Sequence, residues 1–152
     1  MPAPGRTRKG AIRPRITFIQ DYRRYGFPRA RLSRIAVRIY RDYGIPATQS
    51  LNVILCSDYR IRRLNNRFRG IDRATDVLAF PFDEPDLLGE VYISLQRCRI
   101  QGPRQGLTYE QEIVRVFVHG LFHLLGYDHQ TDAQRSDMED RERSYCCLRK
   151  VG

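Results

Sequence analysis

Every histidine in this 152-residue chain falls within one stretch, HGLFHLLGYDH, as His119, His123 and His129. Imidazole is the commonest zinc ligand, and three imidazoles with an open fourth position form the arrangement of a catalytic metal that activates water. His119 and His123 stand four apart in a segment that reads as helix, so both rings leave one face a turn apart. Gly126 is predicted to end that helix, because glycine takes the left-handed conformation cheaply. The chain then turns back through Tyr127 and Asp128 and delivers His129 as a third ligand. The competing reading is two core histidines on a buried helix and a third in a polar turn. Imidazole also suits copper, nickel and iron, so the choice of zinc rests on ligand number and availability. Asp128 has two equally good roles, orienting an imidazole or making the turn.

The elements that must position these residues are legible around them. Thr108 and Gln111 make a capping box that opens the histidine-bearing helix. Ile113, Val114, Val116, Phe117, Val118, Leu121, Phe122, Leu124 and Leu125 surround it with apolar side chains, which predicts a helix through the centre of the fold. Thr131 is predicted to cap a last helix reaching roughly Arg149. Upstream, Ile16 to Ile19 alternate as a short strand, and a helix follows Pro28 to Gly44 with Leu32, Ile35, Ala36, Ile39 and Tyr40 inward. Residues 51–56, LNVILC, read as a strand covered on both faces. Ser57 caps a helix through Arg67, Gly70 and Asp72 make a turn, and Val77 to Phe80 form a strand closed by Pro81. DEPDLLG reads as an acidic connection and GEVYIS as an alternating strand. This order suits a single α+β domain with helices packed on a sheet and the metal site on a buried central helix.

Charge is the second clue. The net charge is +10, and residues 1–73 carry 18 basic against 4 acidic side chains. Nearly all the basic residues are arginine, whose planar fork grips phosphate at two points and stacks on bases, so nucleic acid is the favoured partner. Arg31, Arg34, Arg38 and Arg41 fall on one outer face, which reads more simply as solvated. Residues 1–14 are predicted to form a disordered basic arm ahead of a domain at 15–152. The four cysteines, Cys56, Cys98, Cys146 and Cys147, show no C-x-x-C spacing and read as reduced thiols. No apolar stretch reaches membrane-spanning length and no apolar signal core is present, so a cytoplasmic protein is expected.

Two metalloenzyme readings compete. The histidines and Gly126 match the H-E-x-x-H-x-x-G-x-x-H pattern of metzincin peptidases, but the place of its general base is taken by Gly120, which accepts no proton. HGLFHLLGYDH instead resembles the signature H-G-x-L-H-L-x-G-Y-D-H of the YbeY family of bacterial metal-dependent endoribonucleases. LNNRFRGIDRATDVLAFPF is similar to that family's L-N-x-x-Y-R-G-x-D-x-x-T-D-V-L-S-F-P, and LLGEVYIS to its L-G-D-x-x-I-S. Together the likeness covers residues 64–94 and 119–129. Phe122, Phe68, Ala79 and Glu90 depart from the pattern, none of them a proposed ligand.

The resemblance implies a four-stranded mixed sheet flanked by helices and one zinc per chain on His119, His123 and His129. It also implies cleavage of single-stranded RNA in maturation of the small-subunit ribosomal RNA 3′ end and in ribosome quality control. Ribosomal RNA, the small ribosomal subunit and its assembly factors are then the expected partners, with no DNA and no membrane. The arginine of the family's Y-R-G motif falls on Arg69. A fixed cation beside the metal would hold the scissile phosphate, whereas an ion pair with Asp72 or Asp76 is the structural alternative. Tyr92 and Tyr127 are candidates for stacking on bases, with packing as the commoner role of such residues. A ribosome-binding factor stabilised by non-catalytic zinc is the reading from another class.

Overall fold

A computed structural model describes residues 12–128 and 130–146. Nine elements follow one another: β1 (Ile16–Gln20), α1 (Arg29–Asp42), β2 (Ser50–Cys56), α2 (Asp58–Arg69), β3 (Val77–Glu84), β4 (Leu87–Ser94), α3 (Leu95–Arg104), α4 (Tyr109–Leu124) and α5 (Asp132–Cys146). The four strands lie in the order β1-β2-β4-β3. β1 and β4 run parallel to β2, and β3 is antiparallel to β4. The expected α+β domain with a four-stranded mixed sheet is what the chain forms.

The alternation of β2 explains the layering. Leu51, Val53 and Leu55 join the main core with the buried residues of α1 and α4, while Ile54 and Cys56 face the other side with Ile61 of α2 and Leu78 of β3. A central strand buried on both faces needs apolar residues at nearly every position, as its sequence predicts. On the main side, α4 lies against β3 and β4, with ten of its sixteen residues buried. Its start is fixed by the predicted capping box: Gln111 N–H donates to the Thr108 hydroxyl at 3.1 Å and Thr108 N–H to the Gln111 side chain at 2.8 Å. Thr131 and Gln134 repeat the arrangement ahead of α5, at 3.1 and 3.2 Å.

Three expectations are corrected. The strand predicted to close at Pro81 continues to Glu84 with an irregularity between Pro81 and Glu84. β3 is an edge strand, where a proline's missing N–H costs no ladder bond on its open side. The acidic connection is accordingly the tip of a β3–β4 hairpin, with Glu84 paired to Leu87. Residues 95–104, for which no element was expected, form α3 under a Ser94 cap, with Leu95, Cys98 and Gly102 buried. A Cβ at Gly102 would come within 3.0 Å of the Thr108 carbonyl and 3.1 Å of Glu112 Cβ, so glycine lets α3 cross the start of α4 closely. The last helix is described as far as Cys146. Residues 1–11, which hold most of the predicted basic arm, and the stretch from Cys147 to Gly152 lie outside the described residues.

Candidate active site

α4 carries His119 and His123 on one face, as their spacing predicts, and the two rings meet edge to face with centroids 4.5 Å apart. Their Nε2 atoms are 3.0 Å apart. On the far side of its ring, His119 Nδ1 lies 2.8 Å from the Glu142 carboxylate of α5, which is almost wholly buried. A carboxylate there accepts the Nδ1 proton, which leaves Nε2 of a neutral ring with its lone pair directed at His123. Two such nitrogens on one tetrahedral zinc would stand about 3.3 Å apart, from bond lengths near 2.0–2.1 Å. The observed pair therefore fits a shared ion, and the carboxylate behind His119 is the partner that metal-bound imidazoles usually have. His129, the third predicted ligand, lies outside the described residues. Among the described residues no cluster of three His, Cys, Asp or Glu side chains is arranged to hold a metal.

The turn that leads toward position 129 is well defined. Gly126 takes φ +91°, its N–H reaches the His123 carbonyl at 3.0 Å, and Tyr127 N–H reaches the Phe122 carbonyl at 3.1 Å. These two bonds are a Schellman ending, which requires the left-handed residue that Gly126 supplies. The Tyr127 ring packs edge-on against Phe122 at 5.5 Å and Tyr43 at 6.1 Å, with the Arg141 guanidinium over it at 4.9 Å. Tyr127 thus anchors the turn. Tyr92 is likewise a packing residue: it meets Phe80 edge-on at 5.7 Å, donates to Glu90 at 3.0 Å, and lies on the α2 side of the sheet.

Arg69 is the last residue of α2, which ends at Gly70 in the left-handed conformation. It lines a cleft of about 250 Å³ together with Thr75, Asp76, Val77, His119 and His123. The ion-pair alternatives for Arg69 are taken by other cations. Asp72 is held at 2.8 and 3.2 Å by Arg62, which keeps its carboxyl below the usual range, and Asp76 faces Arg115 at 3.6 Å. The structure therefore brings Arg69, His119 and His123 to one cleft.

Gly120 explains how α4 lies so close to the sheet. A Cβ there would stand 2.9 Å from side-chain carbons of both Val77 and Val91. A glutamate at this position has no room, which removes the general base of the metzincin pattern for a steric reason as well as a chemical one.

Residue spacing did not reveal three members of this neighbourhood. Glu142 comes from α5, and its pairing with His119 is a tertiary contact that no local pattern announces. Arg115, one turn before His119, is held at 2.6 and 3.1 Å by Glu112, a fully buried carboxylate. These bonds raise the guanidinium's pKa and fix its charge between Glu112 and Asp76. The i, i+3 spacing of Glu112 and Arg115 was the available signal, and it was masked by the apolar residues around it.

Comparison with known proteins gives a consistent result. Residues 22–148 match the sequence model of a family described as endoribonuclease YbeY. The endoribonuclease YbeY of Acholeplasma laidlawii is 41% identical over 102 residues, covering 66% of this chain and 73% of that protein. The protein of the same description from Desulfitobacterium hafniense is 42% identical over 106 residues, 62% of this chain and 68% of its own. A solution structure of a Thermotoga maritima protein superposes with a TM-score of 0.59 at 32% identity, covering 86% of each chain.

Proposed function

The chain belongs to the endoribonuclease YbeY family, and from that premise we propose that it is a zinc-dependent endoribonuclease acting on single-stranded RNA. Its proposed place is maturation of the small-subunit ribosomal RNA 3′ end and ribosome quality control in the cytoplasm, alongside the small subunit and its assembly factors. Among the described residues no helix is long and apolar enough to cross a membrane. The observation that carries the reading is the pair of converging Nε2 atoms, 3.0 Å apart, in the cleft that Arg69 also lines.

In this reading His119, His123 and His129 would hold one zinc, which when bound supplies a Lewis acid and makes water ionise readily near neutral pH. The chain's own groups do the rest. Glu142 fixes the His119 ring and its proton on Nδ1, so that Nε2 stays available as a ligand. Arg69 presents a guanidinium to the scissile phosphate and offsets charge that builds up there in the transition state. Asp76 lines the same cleft and faces Arg115, which Glu112 also holds. Gly120 lets α4 approach the sheet closely enough for β3 to form the opposite wall of the cleft.

The test combines zinc analysis with cleavage of a single-stranded RNA. Wild type should hold about one zinc and cut, His119→Ala should lose both, and Arg69→Ala should keep zinc and lose cleavage by about a hundredfold or more. Full cleavage by Arg69→Ala would remove its assigned role, and zinc binding with no cleavage by wild type would favour the non-catalytic ribosome-binding factor.

A further inference from the structure

One groove on the surface has no histidine in its lining. It is a space of about 580 Å³ lined by Tyr59, Arg60, Arg63, Leu64, Asn66 and Arg67 on α2. Three of its six lining residues are arginines and none is acidic. Arg60 is paired with Asp21, whereas among the described residues Arg63 and Arg67 have no carboxylate partner. Both are turned onto aromatic rings instead: Arg63 over Tyr59 at 5.7 Å and Arg67 over Phe68 at 5.4 Å. Those rings are conspicuously bare, Tyr59 at 69% and Phe68 at 58% exposure. Rings this exposed keep much of their surface open to solvent, and aromatic faces interleaved with unpaired arginines form a surface that single-stranded nucleic acid stacks and pairs on.

The position of the groove relates it to the cleft. Arg67 lines the groove and Arg69, two residues on, lines the histidine cleft; Phe68, between them in the chain at the end of α2, packs at 5.3 Å on Phe80 of the edge strand β3. From Tyr59 to Arg69 the helix spans about 15 Å at 1.5 Å per residue, enough for about two or three nucleotides of an extended strand. A second basic groove, lined by Arg13, Arg34, Arg38 and Arg41 on and beside α1, has no such connection. There Arg38 covers Tyr145 and Arg41 pairs with Asp42.

We propose that the α2 groove is a binding track for single-stranded RNA that leads into the cleft, with Arg63 and Arg67 holding backbone phosphates and Phe68 and Tyr59 stacking bases. The inference rests on the endoribonuclease reading and adds to it where the strand lies outside the cleft. None of these four residues belongs to the reacting centre, so the track acts on affinity.

The experiment measures binding of a fluorescein-labelled single-stranded RNA by anisotropy, with initial cleavage rates in parallel, using the full chain. Arg63→Glu/Arg67→Glu and Phe68→Ala are compared with Arg13→Glu/Arg34→Glu, a control of the same charge change at the α1 groove. The track requires Kd and KM to rise by about tenfold or more in the α2 variants with kcat within about twofold, and the control to stay near wild type. The slope of log K against log salt should also flatten by about 0.7 for each phosphate contact removed. Equal losses in the control would reduce the effect to net charge and overturn the track, as would wild-type affinity in both α2 variants while wild type still cuts RNA. If wild type neither binds nor cuts RNA, the endoribonuclease reading fails with it.

Discussion

Glu142 shows what a single carboxylate contributes to a histidine cluster. Its oxygen lies 2.8 Å from His119 Nδ1 in an almost fully buried position, so it sets both the ring's rotation and which nitrogen keeps the lone pair. Glu142→Gln retains the shape and removes the charge, and its amide can present either an acceptor or a donor to Nδ1. The expected result is a zinc affinity lower by about 10- to 100-fold, read by competition with a chromogenic chelator, with the thermal transition of the zinc-free protein nearly unchanged. Unaltered zinc affinity would reduce Glu142 to a packing residue. The two described histidines could be picked out from spacing alone, because i, i+4 on a helix dictates a shared face. Glu142 could not, since it lies 23 residues away on another helix and its surroundings, DRERSY, read as an ordinary charged surface.

At the scale of elements, the decisive contact is between α4 and the sheet. Gly120 meets Val77 and Val91 with no space for a Cβ, so Gly120→Ala must push the helix away or distort the two valines. Overpacking of this kind costs about 1–3 kcal/mol, and the denaturation midpoint should fall accordingly. A second change, Val91→Ala, should recover part of the loss if the clash is the cause, whereas purely additive losses would point to another origin. The same crossing widens the distance between His119 and β3, so cleft geometry suffers even where the fold survives. Most elements could be read from the sequence because local signals agreed: the Thr108 capping box, the β2 apolar run, and Ser57 ahead of α2, whose hydroxyl accepts from Arg60 N–H at 3.2 Å. α3 escaped because its sequence, LQRCRIQGPR, presents Gly-Pro near its end and only three buried positions. Its stability comes from docking on α4, a tertiary override that propensity does not register. Pro81 misled for a related reason, since whether a proline closes a strand depends on that strand being at an edge.

For the whole molecule, charge and burial make opposite demands as pH rises. The chain carries a net charge of +10 at neutral pH and has a pI near 10.0, so raising pH toward 10 relieves self-repulsion and by itself stabilises the fold. Against this, burial pushes the Cys56 thiol up to about 12 from an ordinary value of 9.0, and it raises the Cys98 thiol and the Tyr40, Tyr109 and Tyr145 phenols as well. A thiol or phenol whose pKa is higher when folded keeps its proton longer in the folded state than in the unfolded one. Above the unfolded value the folded chain therefore binds more protons, and stability falls as pH increases. The contribution is complete below about pH 9, begins to decline as unfolded thiols ionise, and declines further above pH 10 as unfolded phenols do. The thermal midpoint should accordingly hold or rise slightly from pH 7 to 9 and then fall steadily to pH 11.5. A midpoint still rising between pH 9 and 10 would mean that relief of charge repulsion, which is complete at the pI near 10.0, outweighs the buried thiols and phenols. Cys56→Ala and Cys98→Ala divide the effect further: each should reduce the early decline, and the two combined should shift its onset toward pH 10, because of these groups only the phenols then remain to release protons on unfolding.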